Sequence, residues 1–282
     1  MNVPETIRAF AGEVSIIEVF IILLGIIIFG IWLVKTSLGR KALADSVHRP
    51  NNMPVYLPFI PLFIWFGAVA TAVSITKEFL PGLPKWQTAF VNNIILGAGA
   101  TGAIVVIILL ARSCFVGGIK TLGLNLRTIP KDFVFAVVNL LGTLPIMFAM
   151  IMLTILLGKI IYGPQFEMSQ HEELKLISQY PQLSLRILIV VVSCVIAPVC
   201  EEMLFRGMFQ TMIRTYLVKP WRSIFITSGL FAMVHPNAGH WPALFILSVS
   251  MGYAYEKSGS LFRPVFIHAL FNSAVVIAAL YQ

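Results

Sequence analysis

Seven stretches of this chain run without a single Asp, Glu, Lys or Arg: Val19–Val34, Pro50–Thr76, Trp86–Ala111, Phe133–Gly158, Ile187–Cys200, Ser223–Tyr255 and Pro264–Gln282. A helix that crosses a bilayer needs about 20 largely apolar residues. Repeated stretches of this kind predict an all-α, polytopic membrane protein. Ser223–Tyr255 is too long for one comfortable span. The run His235-Pro-Asn-Ala-Gly-His-Trp-Pro242 divides it, because prolines and a Gly/Asn turn interrupt a helix. That gives about eight transmembrane segments. The halves Ser223–His235 and Pro242–Tyr255 are short, about 20 Å each at 1.5 Å per residue. They suit a re-entrant hairpin as well as two full spans.

Composition narrows the function classes. The chain has 282 residues, 58% hydrophobic and 11% charged, against about 45–50% and about 25% in soluble domains. A soluble enzyme, a disordered chain and an ordinary nucleic-acid-binding domain are excluded. The lipid bilayer is the expected surrounding, and no nucleic-acid partner is implied. The net charge of +8 fits cytoplasmic loops rich in Lys and Arg. Loops 35–54, 112–132, 206–222 and 256–263 hold 14 such residues, and Arg8, Lys77, Lys85, Lys159 and Lys175 make up 5 in the alternate set. Both termini are therefore expected outside. Val19–Val34 is followed by Lys35 and no A-x-A site, so it reads as a retained helix and not a cleaved leader. Cys114, Cys194 and Cys200 show no disulfide or zinc spacing and read as small buried hydrophobes. No internal repeat or low-complexity tract interrupts the chain.

Ionisable groups at membrane depth are costly, and each marks a candidate site. Three clusters qualify, all after residue 196. In Ala197-Pro-Val-Cys-Glu-Glu-Met-Leu-Phe-Arg-Gly207, one helix from about Ile187 to Leu217 would carry Glu201 and Glu202 near its middle, kinked at Pro198. Adjacent residues lie about 100° apart on a helix, so one carboxylate faces a cavity while the other faces a neighbouring helix. Glu202 and Arg206 stand at i,i+4 in the favourable order for pairing. The second cluster is Phe231-Ala-Met-Val-His235, and the third is His268-Ala-Leu-Phe-Asn272, which puts His268 and Asn272 on one helix face. His240 beside Trp241 reads as an interfacial loop residue. A lone histidine is ordinarily a satisfied core residue, and His with Asn also serves as helix–helix glue. The combination carries the argument. A carboxylate beside an imidazole suits a water-activating base, and a His/Asn donor pair suits a developing oxyanion. Hydrolysis of an acyl or peptide bond needs both.

The pattern E-E-x-x-x-R, F-x-x-x-H, H-x-x-x-N, here Glu201-Glu202…Arg206, Phe231…His235 and His268…Asn272, resembles the CAAX prenyl protease type II family. This is also the CPBP or Abi family of intramembrane proteases, which includes the Ras-converting endopeptidases. Ala197-Pro198, Phe205-Arg206-Gly207 and Ser258-Gly-Ser-Leu261 resemble the family's flanks, and upstream Leu122-Gly-Leu124 is a weaker likeness. The resemblance covers roughly residues 184–278. It divides the chain into N-terminal spans, 1–183, and a catalytic region, 184–282, within one membrane domain. It implies a glutamate-dependent intramembrane endopeptidase, with Glu201 and His235 activating water, His268 and Asn272 stabilising the oxyanion, and Glu202 and Arg206 supporting them. The substrate would be a peptide or a lipidated protein, and the place the plasma (inner) membrane of a prokaryote. No cofactor is expected. Zinc on Glu201, His235 and His268 is the alternative, but the chain has no H-E-x-x-H, and His171-Glu-Glu-Leu-Lys175 lies in a polar loop. A non-enzymatic immunity or scaffold protein of the same family is the competing function. A transporter fits less well, because the polar residues crowd one end of the chain without a counterpart in its first half. One geometric tension stands: His235 is about 20 Å along its helix from Arg222, while His268 is five residues from Arg263.

Overall fold

A computed structural model describes residues 16–169 and 172–280. Arg8 and His171, and the last two residues of the Pro264–Gln282 stretch, lie outside the described residues. The described chain is helical, as the apolar stretches predict. In order, the helices are α1 (Ile16–Lys35), α2 (Phe59–Glu78), α3 (Lys85–Cys114), α4 (Ile129–Tyr162), α5 (Glu172–Gln179), α6 (Leu183–Leu217), α7 (Pro220–Met233), α8 (Trp241–Ser258) and α9 (Phe262–Leu280). Six of these, α1 to α4, α6 and α9, are long and apolar enough to cross a membrane. α7 and α8 fall short and form the packed pair joined by the 234–240 turn, so the division at His235–Pro242 gives a short hairpin. The Pro50–Thr76 stretch becomes helical only from Phe59. Pro50, Pro54 and Pro58 restrict the backbone of the residues before them.

α4 runs through the centre, against α1, α8 and α9, while α6 packs on α3, α7 and α9. Lipid tails are as apolar as leucine, so helix association relies on close packing and interhelical hydrogen bonds. Both are present. A Cβ on Gly25 of α1 would come within 2.3 Å of the Leu141 carbonyl of α4, which only glycine permits. Trp32 donates to Tyr253 at 2.9 Å, and Thr143 bonds Ser250 at 2.7 Å. Ile16, Phe20, Leu23 and Ile27 of α1 point outward, as a lipid-facing helix requires.

The connecting segments gather at two ends. At one end, the Val47 amide donates to the Glu256 carbonyl at 3.1 Å, Asn52 to Cys114 at 3.0 Å, and Leu261 to Gly123 at 3.3 Å. These contacts join all but one of the loops counted as basic, and Asn51 Nδ2 ties in the remaining one through the Thr215 hydroxyl at 2.8 Å. At the other end, the Asn237 side chain holds Ser169, and His240 Nε2 meets the Ser169 carbonyl at 2.9 Å. Ile177 of α5 is wholly buried there among Leu185, Ile189 and Val276.

Candidate active site

α6 is continuous, but it is not a plain α-helix. Val192–Ile196 and Met203–Gln210 are wound as π-helix, on either side of Ala197–Glu202. Pro198 has no N–H to give the carbonyl four residues back. The looser turns before it absorb the defect, so the kink expected at Pro198 takes this form. π-turns inside α-helices are frequent at functional sites. Here they flank the segment that carries both glutamates.

Glu201 and Glu202 are both buried, and Glu202 is entirely out of solvent reach. Glu202 Oε1 accepts from Arg206 Nη1 at 2.8 Å and from His268 Nδ1 at 2.9 Å. A carboxylate oxygen accepts, so the ring proton sits on Nδ1. The other ring nitrogen, His268 Nε2, lies 3.9 Å from Glu201 Oε2. One imidazole therefore touches both carboxylates. Arg206 is wholly buried. Its guanidinium also donates to the Ser248 hydroxyl at 2.7 Å and the Ser248 carbonyl at 3.1 Å, and stands 4.8 Å over the Phe231 ring.

The Phe231 ring is shared by both histidines. Its centroid is 4.9 Å from that of His235 and 5.7 Å from that of His268. His235 lies just past the end of α7, where its Nδ1 meets the Phe231 carbonyl at 2.7 Å. A carbonyl only accepts, so Nδ1 carries the proton and Nε2 keeps its lone pair in the neutral ring. Trp241 Nε1 donates to the His235 carbonyl at 2.8 Å, which fixes the turn. Asn272 is half-buried, and its Nδ2 donates to the Ser193 carbonyl at 2.8 Å. That bond uses one of its two amide hydrogens and ties α9 to the first π segment.

The structure thus brings Glu201, Glu202, Arg206 and His268 into direct contact, reaches His235 through Phe231, and turns Asn272 onto α6. The tension in depth between His235 and His268 disappears. Arg263 does not mark an interface. It is buried and pairs with buried Asp132 of α4 at 3.0 Å. Arg49 and Arg206, also counted among the loop charges, are buried too. Ser248 was not foreseen, since a serine in an apolar helix carries none of the cost that flags a charge.

Cys194 and Cys200 are buried and Cys114 half-buried, all as free thiols. Among the described residues, no three His, Cys, Asp or Glu side chains are grouped so as to hold a metal ion. Glu202 Oε1, already shared by a guanidinium and an imidazole, is a poor ligand for a cation. Of the zinc set Glu201, His235 and His268, the His268 ring has its Nδ1 held by Glu202 and its Nε2 3.9 Å from Glu201.

Glu201 Oε2 is buried and has no hydrogen-bond partner among the described residues. A carboxylate oxygen with open lone pairs, beside an imidazole held from behind, is chemically suited to take a proton from water. Residues 183–274 match the family described as type II CAAX prenyl endopeptidase, Rce1-like. No curated protein and no solved structure gives a match.

Proposed function

From the premise that residues 183–274 carry the type II CAAX prenyl endopeptidase, Rce1-like, region, a region of membrane proteases, we propose that this chain hydrolyses a peptide bond within the membrane, without a metal, by glutamate-activated water. The observation that carries the reading is the junction at His268, whose Nδ1 is fixed by Glu202 and whose Nε2 faces Glu201. Glu201 takes one proton of a water molecule, assisted by Nε2 of His235. The hydroxyl oxygen attacks the scissile carbonyl, whose oxygen becomes an oxyanion. His268 Nε2 and the second amide hydrogen of Asn272 donate to it. Donation from Nε2 needs both ring nitrogens protonated, and the two adjacent carboxylates are the countercharges for that form. The proton held by Glu201 then passes to the amine nitrogen as the C–N bond breaks. Charges and protons balance: the immediate products are a carboxylic acid and an amine, and the acid's proton passes to the amine to leave a carboxylate and an ammonium group.

The substrate class that follows is a membrane-associated peptide or a lipidated protein. The test is a cleavage assay on purified protein in detergent, with a quenched peptide panel that includes farnesylated C-terminal motifs. Glu201→Ala is expected to lose about 10²–10⁴-fold in rate, the usual weight of general acid–base catalysis, and His268→Ala about 10²–10³-fold, the weight of an oxyanion donor. A zinc chelator is expected to leave the wild type unchanged. Loss of activity with the chelator, restored by zinc, would overturn the metal-free part of the proposal. Full activity in Glu201→Ala would overturn the glutamate mechanism.

A further inference from the structure

Buried polar contacts between α6 and α8 repeat at a constant offset. Arg206 Nη2 donates to Ser248, through the hydroxyl at 2.7 Å and the carbonyl at 3.1 Å. One turn further, Gln210 Nε2 donates to the Gly252 carbonyl and to Glu256 Oε1, both at 3.1 Å. A turn beyond that, Arg214 Nε lies 3.8 Å from Glu256 Oε2. Each rung advances four residues on both helices, so the two run parallel and in register. Arg206, Gln210, Ser248 and Glu256 are all at most 1% exposed. Sliding one helix by a residue would turn its side chains by about 100° and leave these groups unpaired away from water. The register is therefore strongly specified.

Ser248 forms the rung nearest the site. From it a chain of contacts runs through Arg206 to Glu202 Oε1 and on to His268 Nδ1. We propose that Ser248 is a positioning residue of the active site, which fixes the Arg206 fork so that Glu202 holds the His268 ring with Nε2 toward Glu201, and that the α6–α8 seam exists to set this register. The inference rests on the hydrolytic reading above. Arginine presents planar donors in a rigid fork, so removing one acceptor lets the whole guanidinium pivot over Phe231. Glu202 moves with it, and His268 follows Glu202. Misplacement of a reacting group by about 1 Å can cost about 10²-fold in rate.

The experiment compares wild type, Ser248→Ala and Ser248→Thr, purified in detergent and matched by thermal unfolding. Ser248→Ala is expected to lower kcat by about 10–100-fold, up to the cost of misplacing a reacting group by about 1 Å, with KM unchanged. Ser248→Thr keeps the hydroxyl and is expected to retain most of the activity. Combined with Glu202→Gln, Ser248→Ala is expected to add little further loss, because both act through one chain of contacts. A second readout needs no substrate: modification of His268 by diethyl pyrocarbonate, followed by mass spectrometry, is expected to be severalfold faster in Ser248→Ala. If the wild type cleaves no peptide, the hydrolytic reading fails and the His268 labelling still decides the positioning role. Wild-type kcat and unchanged labelling in Ser248→Ala would overturn the proposal. So would equal losses in the Ala and Thr variants. If Ser248→Ala does not fold, Ser248→Cys, slightly larger than serine and a weak acceptor, is held to the same outcomes.

Discussion

Glu202 serves two partners through one oxygen, whereas Glu201 stands open on the side that faces His268. On the proposed mechanism, adjacent carboxylates in one helix divide between structure and chemistry, and their variants should separate. Glu202→Ala strands the buried Arg206 charge. Removing one partner of a buried pair costs about 3–5 kcal/mol, and thermal unfolding in detergent should show a large drop. Glu201→Gln, nearly the same shape, should unfold close to wild type while cleavage is lost. Equal stability of Glu202→Ala and Glu201→Gln would refute the division. The sequence makes half of this legible. The i,i+4 spacing announces Glu202–Arg206, but nothing in it says which glutamate meets His268, 66 residues away. Arg263 misleads for the same reason. Its partner Asp132 lies 131 residues upstream, so a paired and buried arginine looks like an interface marker.

At the scale of elements, the long apolar stretches place the helices, and the apolar pattern predicts one helix from residues around 187 to 217, where α6 runs. It does not predict the π turns within α6, because they answer to Pro198 and to packing that local pattern does not encode. A weaker sequence feature turns out to be structural. Leu122-Gly-Leu124 meets Ser258-Gly-Ser-Leu261 in space, with Gly123 at φ +82° and its carbonyl accepting from the Leu261 amide. That contact sets the start of α9, and with it the placing of His268. A Cβ on Gly123 would stand 2.0 Å from the Gly259 carbonyl oxygen. Backbone cannot yield as a flexible side chain does. Gly123→Ala should therefore lose more than the about 1–2 kcal/mol of the left-handed conformation alone, seen as a lower unfolding temperature with reduced cleavage. A variant as stable as wild type would show that the 118–128 segment is free to move away from α9.

The whole molecule has two unlike ends. One end gathers the 36–58 and 115–128 segments with the junctions after α6 and α8, where most of the Lys and Arg stand. The other gathers 163–182 and the 234–240 turn. Several of the basic residues behind the charge bias are buried in ion pairs or cation–π contacts, Arg49, Arg206 and Arg263 among them. These contribute to the fold and not to interaction with the surface of the bilayer. The bias survives without them, since Lys35, Arg40, Lys41, Arg112, Lys120, Arg127, Lys131, Lys219, Arg222 and Lys257 remain on that end. A positive-inside excess acts through short loops, so the basic end should face the cytoplasm. Single cysteines at Lys120 and Lys175, in a background with the three native cysteines replaced by serine, give a direct reading. In sealed vesicles of known orientation, a membrane-impermeant maleimide should reach position 175 from the extracytoplasmic side. It should reach position 120 from that side only after detergent opens the bilayer. The reverse pattern would invert the topology and place the 163–182 segment, with α5 packed beside α6 and α9, on the cytoplasmic side of the site. Labelling of both positions from one side would mean that α4, the helix between them, does not cross the bilayer.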